Sequence, residues 1–499
     1  MTTARGNTLL VSSSIMLATI MQVLDTTIAN VALPHMQGSL SAGSDQITWV
    51  LTSYIVATAI MTLPVGYLAQ RYGRRNIFIW SVAGFTISSM LCGQAGSLTE
   101  MVVWRMLQGV FGASLVPLSQ ATLLDIFPRE NLASAMSIWG MGVMLGPILG
   151  PSLGGWLTDA YNWRWVFYIH VPLGILSLLG IYLFVPDTER RQQRFDSSGF
   201  AFLAIAVATL QLLLDRGEMV DWFDTLEIQV YAVLMALGLY LFLVHNATTD
   251  NHFLSPGLFH DRNFVTGSVF IFMVSIVLLA TMALLPPFLQ HWKGYPAVTT
   301  GLVLMPRGVG TMISMLLVSH LLKYFDARAV ILTGLALVSL SLHLMARFTM
   351  DVGQHELVVT GVVQGLGMGL VFVPTSTLAY ATLAPALRNE ATALYNLARN
   401  LGSSIGVSIV MAVLSRSQWI NEQELAARVQ LPPDLLARLP DSDALQAIPG
   451  DVVAEVARQA AEIAYVNDFH MLTLITLLAM PLVLLLTSPE PKGESKPGS

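Results

Sequence analysis

Four ionisable side chains stand in stretches otherwise too apolar to hold them. Asp25 lies in MQVLDTTIANVALP, Arg105 in VVWRMLQGVFGAS, Arg307 in LVLMPRGVG and Arg399 in YNLARNLGSSIG. An ion near the centre of a bilayer is costly, so such residues usually face a cavity and a partner. A carboxyl held away from water can load and unload a proton, the role expected of Asp25. Its structural alternative is a hydrogen bond to nearby backbone. Arginine keeps its proton, so Arg105 reads as a fixed charge that tunes a carboxyl or holds a buried polar network. Snorkelling to the interface is the alternative. Arg307 and Arg399 suit an anionic substrate, or backbone carbonyls freed near Pro306 or Gly402. Gln22 and Asn30 flank Asp25, and Gln364 and Asn396 are polar candidates later in the chain. These four complete the candidate cavity set. His343 reads as packed or paired to a polar neighbour.

The elements that hold these residues follow from composition. Of 499 residues, 54% are hydrophobic and only 11% are charged. A soluble surface uses about 25% charged residues, so most of this one faces lipid. The net charge of -6 gives no basic footprint for nucleic acid. A single cysteine, Cys92, excludes an intramolecular disulfide and any CxxC site. The ten histidines form no HExxH and no close pair, so no metal site is expected. No catalytic cluster of acid, base and metal groups stands out, and no cofactor is implied. A receptor would usually add a soluble signalling domain, and the tail after Pro489 is short.

A spanning helix needs about 20 apolar residues. Fourteen segments qualify, near 9–32, 47–69, 77–96, 101–124, 134–158, 164–185, 197–214, 228–246, 264–289, 298–322, 328–348, 356–380, 392–415 and 469–487. The first follows Arg5 but has no small-x-small cleavage site, so it reads as a retained span rather than a removed signal. One set of loops carries Arg71, Arg74, Arg75, Arg129, Arg190, Arg191, Arg194, Arg262, Lys323, Arg328 and Arg388, with Lys492 and Lys496 in the tail. The opposite set is poor in base. Both termini are therefore expected on the cytoplasmic side.

Three segments recur in order. GYLAQRYGRRN (66–76) resembles SHLLKYFDARA (319–329), QGVFGASLVP (108–117) resembles QGLGMGLVFVP (364–374), and Arg129 with ENLASA resembles Arg388 with NEATA. The offsets are 253, 256 and 259 residues. Each unit covers six helices and matching loops share a side, which makes the halves parallel repeats about an axis along the membrane normal. The fold class expected is an all-α polytopic membrane protein of two six-helix bundles, with spans seven and eight as an inserted hairpin. The boundaries are 1–190 for the first bundle, 191–262 for the hairpin and its loop, 263–488 for the second bundle and 489–499 for a cytoplasmic tail. Gly361 stands where the repeat places Arg105, so that charge belongs to the first half only.

Two further motifs carry mechanics. In GYLAQRYGRR, Gly66 and Gly73 let helix ends approach closely, and Arg71, Arg74 and Arg75 sit at one face. They could pair with acids or helix ends in one state and part in the other, although topology alone accounts for Arg74 or Arg75. In GVMLGPILGPSLGG, Gly142, Gly146, Gly150 and Gly154 make a groove for close packing, and Pro147 and Pro151 are expected to add a bend. Residues 417–467 break the pattern of short loops, with eight acids against Arg428, Arg438 and Arg458. NEQELAARVQ and DVVAEVARQAAEIAYV read as helical, with PP and LPDSD between. The segment is a solvated cap or a docking surface for another protein.

Taken together, VLDTTIANVALP (23–34), GYLAQRYGRR, WRMLQGVFGAS, GVMLGPILGPSLGG, NWRWVFYIHVPLG (162–174) and DRGEMVDWF (215–223) resemble the major facilitator superfamily. Within it the resemblance is to the fourteen-span drug–proton antiporters of the EmrB/QacA type. That implies an inner-membrane exporter of hydrophobic or amphiphilic compounds, driven by inward proton flow. It implies proton coupling through Asp25 and Arg105, and a periplasmic adaptor protein with an outer-membrane channel as partners. Export of one dedicated metabolite, such as a siderophore, is the alternative. The sequence departs from the family pattern at Gln70, where an Asp is usual, and at His170, where an Asn is more usual.

Overall fold

Inside lipid a backbone amide finds no water, so each apolar run must satisfy its own peptide groups as a helix. The computed structural model describes residues 2–188, 190, 194–428 and 450–487, and among them there is no strand. Thirteen helices are long and apolar enough to cross a membrane, and one bent pair makes a fourteenth. The first half holds α1 (Thr2–Ser39), α2 (Trp49–Thr62 with Val65–Tyr72), α3 (Arg74–Gln94), α4 (Leu98–Gly112 with Leu115–Ile126), α5 (Leu132–Ala160) and α6 (His170–Phe184). Next come α7 (Ser197–Arg216) and α8 (Leu226–Thr248). The second half holds α9 (Arg262–Pro287), α10 (Ala297–Leu321), α11 (Ala327–Met345), α12 (Gln354–Ala381), α13 (Arg388–Arg428) and α14 (Gly450–Ala479).

Local chemistry sets several of these ends. The side chains of Ser97, Asp196, Asp261 and Asp326 each accept a first-turn amide at the start of α4, α7, α9 and α11. α2 bends by 56° at Leu63–Pro64, where proline has no amide to donate. Pro286 and Pro287 end α9 in a single π turn, Phe288–Trp292.

Packing repeats between the halves. α1 lies against α5 and α6, α2 against α4, and α3 against α4 and α6. In the same way α9 lies against α13 and α14, α10 against α12, and α11 against α12 and α14. The halves meet where α5 packs on α10 and where α13 packs on α2 and α4. α7 and α8 pair with one another, and α7 touches α2 and α13.

The long loop is shorter than the sequence suggests. α13 runs for 41 residues to Arg428 and α14 begins at Gly450, so both flanks of 417–467 continue the bundle helices. The last span likewise starts well before residue 469. Residues 429–449 with Arg438, as well as Arg191, Lys492, Lys496 and the tail 489–499, lie outside the described residues.

Candidate functional site

Asp25 and Arg105 meet. Arg105 Nη1 donates to Asp25 Oδ2 at 2.7 Å, and both side chains are 0% exposed. α4 places Arg105 and Gln108 on one face, three residues apart. Gln108 Nε2 donates to Asp25 Oδ1 at 3.0 Å and its Oε1 accepts from Arg105 Nη1 at 2.8 Å, closing a three-residue ring. Arg105 Nε donates to the Val50 carbonyl at 3.1 Å, while its Nη2 is buried without a partner. The guanidinium lies 4.3 Å from the Tyr54 ring centroid and 5.6 Å from that of Phe167. Gln22 Nε2 donates to the Tyr54 hydroxyl at 3.1 Å. The site therefore brings a carboxyl, a permanent cation and a neutral amide together, all in the first half.

His170 belongs to the same cluster. Its Nδ1 is 3.9 Å from Asp25 Oδ1 and 3.1 Å from Ser89 Oγ, which donates to the Phe167 carbonyl. Its Nε2 is buried and unpartnered. Cys92 lies 3.6 Å from Gln108 Oε1. Sequence reading set His170 aside and passed over Gln108 and Tyr54. The three-residue spacing of Arg105 and Gln108 was the available signal.

The second half keeps a neutral copy. Gln364 and Thr281 stand 256 residues after Gln108 and Asp25, and Gln364 Nε2 donates to Thr281 Oγ1 at 3.3 Å. Gly361 replaces Arg105 there, and Arg307 of α10 passes over it with its Cβ 3.5 Å from where a Gly361 side chain would begin. Arg307 Nη2 donates to the Leu278 carbonyl of α9 at 3.2 Å, a backbone acceptor near neither Pro306 nor Gly402 in sequence. Arg399 lies on α13 with its guanidinium 5.5 Å from the Trp139 ring. Asn396 Nδ2 donates to Gln120 Oε1 at 2.7 Å, a bond between the halves. Asn30 is exposed, further along α1.

The arginine-rich face is shut by a second cluster. Asp125, at the end of α4, accepts from Arg74 Nη2 and from Arg388 Nη1, each at 2.6 Å. Arg74 Nε reaches Asn389 Oδ1 at 3.0 Å. A side chain on Gly66 would begin 2.7 Å from the Glu390 Cα, so glycine is what lets α2 and α13 touch. Gly73 joins α2 to α3 at φ 89°, a left-handed conformation that glycine adopts freely. Among the loop arginines, Arg74 makes that pair with Asp125. Arg71 donates to the Tyr67 hydroxyl at 2.8 Å, and Arg75 to the Tyr182 carbonyl. Gln70 Nε2 donates to the Ala386 carbonyl at 3.4 Å, a contact that a carboxylate could not make.

The glycines of α5 face α1. Side chains added at Gly142, Gly146, Gly150 and Gly154 would strike Met16, Val23, Thr27 and Ile28 in turn. Thr27 Oγ1 donates to the Gly146 carbonyl at 3.0 Å, and α5 runs unbroken through Pro147 and Pro151. The stripe thus backs the turn of α1 that carries Asp25. Sequence reading also missed Asp468 on α14, whose two carboxyl oxygens are buried without a partner.

Two helical bundles related by an internal repeat, with sparse intramembrane charge between and within them, define a polytopic membrane transporter. Residues 15–407 match the Major Facilitator Superfamily, and the chain belongs to it. It is 33% identical over 476 residues to "Multidrug export protein EmrB" of Escherichia coli (strain K12), covering 94% of this chain and 93% of that protein. It is 31% identical to "Probable multidrug resistance protein EmrY" of the same strain, over 95% and 94% of the two chains. It is 32% identical to "Fatty acid resistance protein FarB" of Neisseria gonorrhoeae, over 84% and 83%. Among solved structures, the human organic anion transporter MFSD10 superposes with a TM-score of 0.64 at 13% identity, covering 95% of this chain and 99% of that one, a likeness of fold alone. The chain is an EmrB-like drug-efflux transporter, a non-enzymatic kind of protein.

Proposed function

We propose that this transporter exports hydrophobic or amphiphilic compounds in exchange for protons. The observation that carries the reading is the fully buried Asp25, held by Arg105 and Gln108 beside the α1–α5 seam. Protonating Asp25 removes the charge that Arg105 balances and weakens the hydrogen bond from Gln108. Both partners lie on α4, so the change in Asp25 is felt across the first half. With Asp125 bridging Arg74 and Arg388, the arginine-rich face is shut. We assign that face to the cytoplasm, with both termini on it, because bases favour the inner side.

In the cycle, substrate enters when the clamp at Asp125 opens and leaves toward the far side when it closes. Asp25 takes a proton from outside as substrate departs and gives it up inside on return. One proton crossing 100 mV contributes ~2.3 kcal/mol from the potential alone. An inner-membrane location, a periplasmic adaptor and an outer-membrane channel complete the reading. The ends of α13 and α14 around residues 417–467 are the surface offered to the adaptor, with Trp419 and Ile420 exposed there.

The test is transport in proteoliposomes under an imposed pH gradient, with several dyes and drugs. Asp25→Asn is expected to abolish proton-driven uphill transport while downhill exchange of substrate continues. Full proton-driven transport by Asp25→Asn would refute the coupling role.

A further inference from the structure

The intramembrane arginines differ in the acceptors they meet. Arg105 has Asp25, and Arg307 has the Leu278 carbonyl. Arg399 has neither: its Nη1 is buried without an acceptor, and no carboxylate among the described residues pairs with it. It sits 11 residues into α13, about 16 Å from that helix's start at 1.5 Å per residue. That is close to the middle of a hydrocarbon core about 30 Å thick.

Its surroundings join the two halves. One turn toward the shut face, Asn396 bonds to Gln120 across the interface and leaves its own Oδ1 buried and unpartnered. Trp139 of α5 stacks on Phe372 of α12 with ring centroids 5.7 Å apart, again bridging the halves. The Arg399 guanidinium lies over that Trp139 ring. On the adjoining helices Tyr380 and Tyr395 pack ring to ring with centroids 5.3 Å apart, and the Tyr380 hydroxyl is fully buried without a partner. A partly buried cation with an unpartnered nitrogen, an idle phenol and a flat aromatic pair toward the closed end of the interface match one ligand chemistry. It is a planar or chain-like apolar body with a singly charged anionic head.

We propose that Arg399 anchors the anionic head of an amphiphilic substrate, with Tyr380 as an additional donor and the Trp139–Phe372 pair against its apolar part. The guanidinium fork makes two parallel bonds to a carboxylate or sulfonate, and the low-dielectric setting strengthens them. The proposal deepens the export reading and rests on it for transport, though binding can be examined separately.

The experiment uses the full chain and three pyrene probes of matched ring: pyrenesulfonate, pyrenemethanol and pyrenemethyl-trimethylammonium. In detergent solution, pyrene fluorescence titration is expected to rank the sulfonate tightest. Arg399→Gln should weaken the sulfonate about tenfold or more and the alcohol less than about twofold, with Arg399→Lys between. Tyr380→Phe should give a smaller loss of the same selectivity. In proteoliposomes under a pH gradient, Arg399→Gln should slow the sulfonate alone. Equal losses for sulfonate and alcohol would make Arg399 a structural residue and overturn the proposal. So would a wild type that binds the alcohol as tightly as the sulfonate. If no probe of any charge moves with the gradient while the sulfonate preference in binding depends on Arg399, the export reading fails and the anion site stands.

Discussion

Burial makes Asp25 and Arg105 interdependent, and that fixes what each substitution does. Removing one member of a buried ion pair leaves an uncompensated charge and costs roughly 3–5 kcal/mol, whereas removing both can be nearly neutral. Arg105→Leu should therefore lower the thermal stability of the purified protein sharply, and Asp25→Asn in the same chain should restore most of it. A double variant no more stable than Arg105→Leu would show that the pair is not the coupled unit. Arg105→Lys keeps the charge but cannot reach Asp25, Gln108 and the Val50 carbonyl together. Its proton-driven transport should fall by about tenfold while the protein still folds, measured as substrate flux against an imposed pH gradient. Asp25 and Arg105 were legible because each interrupts an apolar run. Gln108, Tyr54 and Ser89 were not, because neutral polar groups are ordinary in such runs and declare themselves only through partners. Asp125 and Asp468 stand near span ends in the sequence, where acids pass without notice, and whether Arg399 has a partner is a fact of tertiary structure.

Helices carry these residues through contacts that small side chains permit. On α5 the four-residue spacing of Gly142, Gly146, Gly150 and Gly154 gives one flat stripe, and α1 lies in it. Gly155, next in sequence, meets nothing within 4 Å. Gly146→Ala places its new carbon 2.7 Å from the Val23 carbonyl oxygen, so α1 must shift by several tenths of an ångström. Overpacking of that kind costs about 1–3 kcal/mol. Gly146→Ala should lower the unfolding temperature and the transport rate together, and Gly155→Ala should leave both unchanged. Equal behaviour of the two would mean the stripe does not set the position of Asp25. The motif announced a packing seam in the sequence. It did not name α1 as the partner, since the contact joins residues more than a hundred positions apart. The bend at Pro64 also escaped the hydropathy pattern, because a kinked pair is as apolar as a straight helix.

At the scale of the whole molecule, the proposed cycle has the two halves part at one face as they close at the other. The α5–α10 and α2–α13 contacts exchange under the repeat, so rocking preserves the pairs while shifting their ends. What holds the arginine-rich face shut is concentrated at Asp125, which joins Arg74 of the first half to Arg388 of the second. Arg74 and Arg388 are 6% and 8% exposed and Asp125 is 31% exposed, so solvent screens part of the attraction. A contribution of about 1–2 kcal/mol is reasonable for such a clamp, enough to change a two-state ratio about five- to thirtyfold. Asp125→Asn should therefore raise the population open at that face. Cys92 is buried, so spin labels would attach mainly at cysteines introduced at the exposed positions Tyr72 and Ala384. Pulsed distance measurements should show a longer-distance population growing in Asp125→Asn, with higher salt moving the parent protein the same way more weakly. If the distribution is unchanged, the close approach at Gly66, rather than the charges, sets the equilibrium, and Gly66→Ala should then shift it where Asp125→Asn does not.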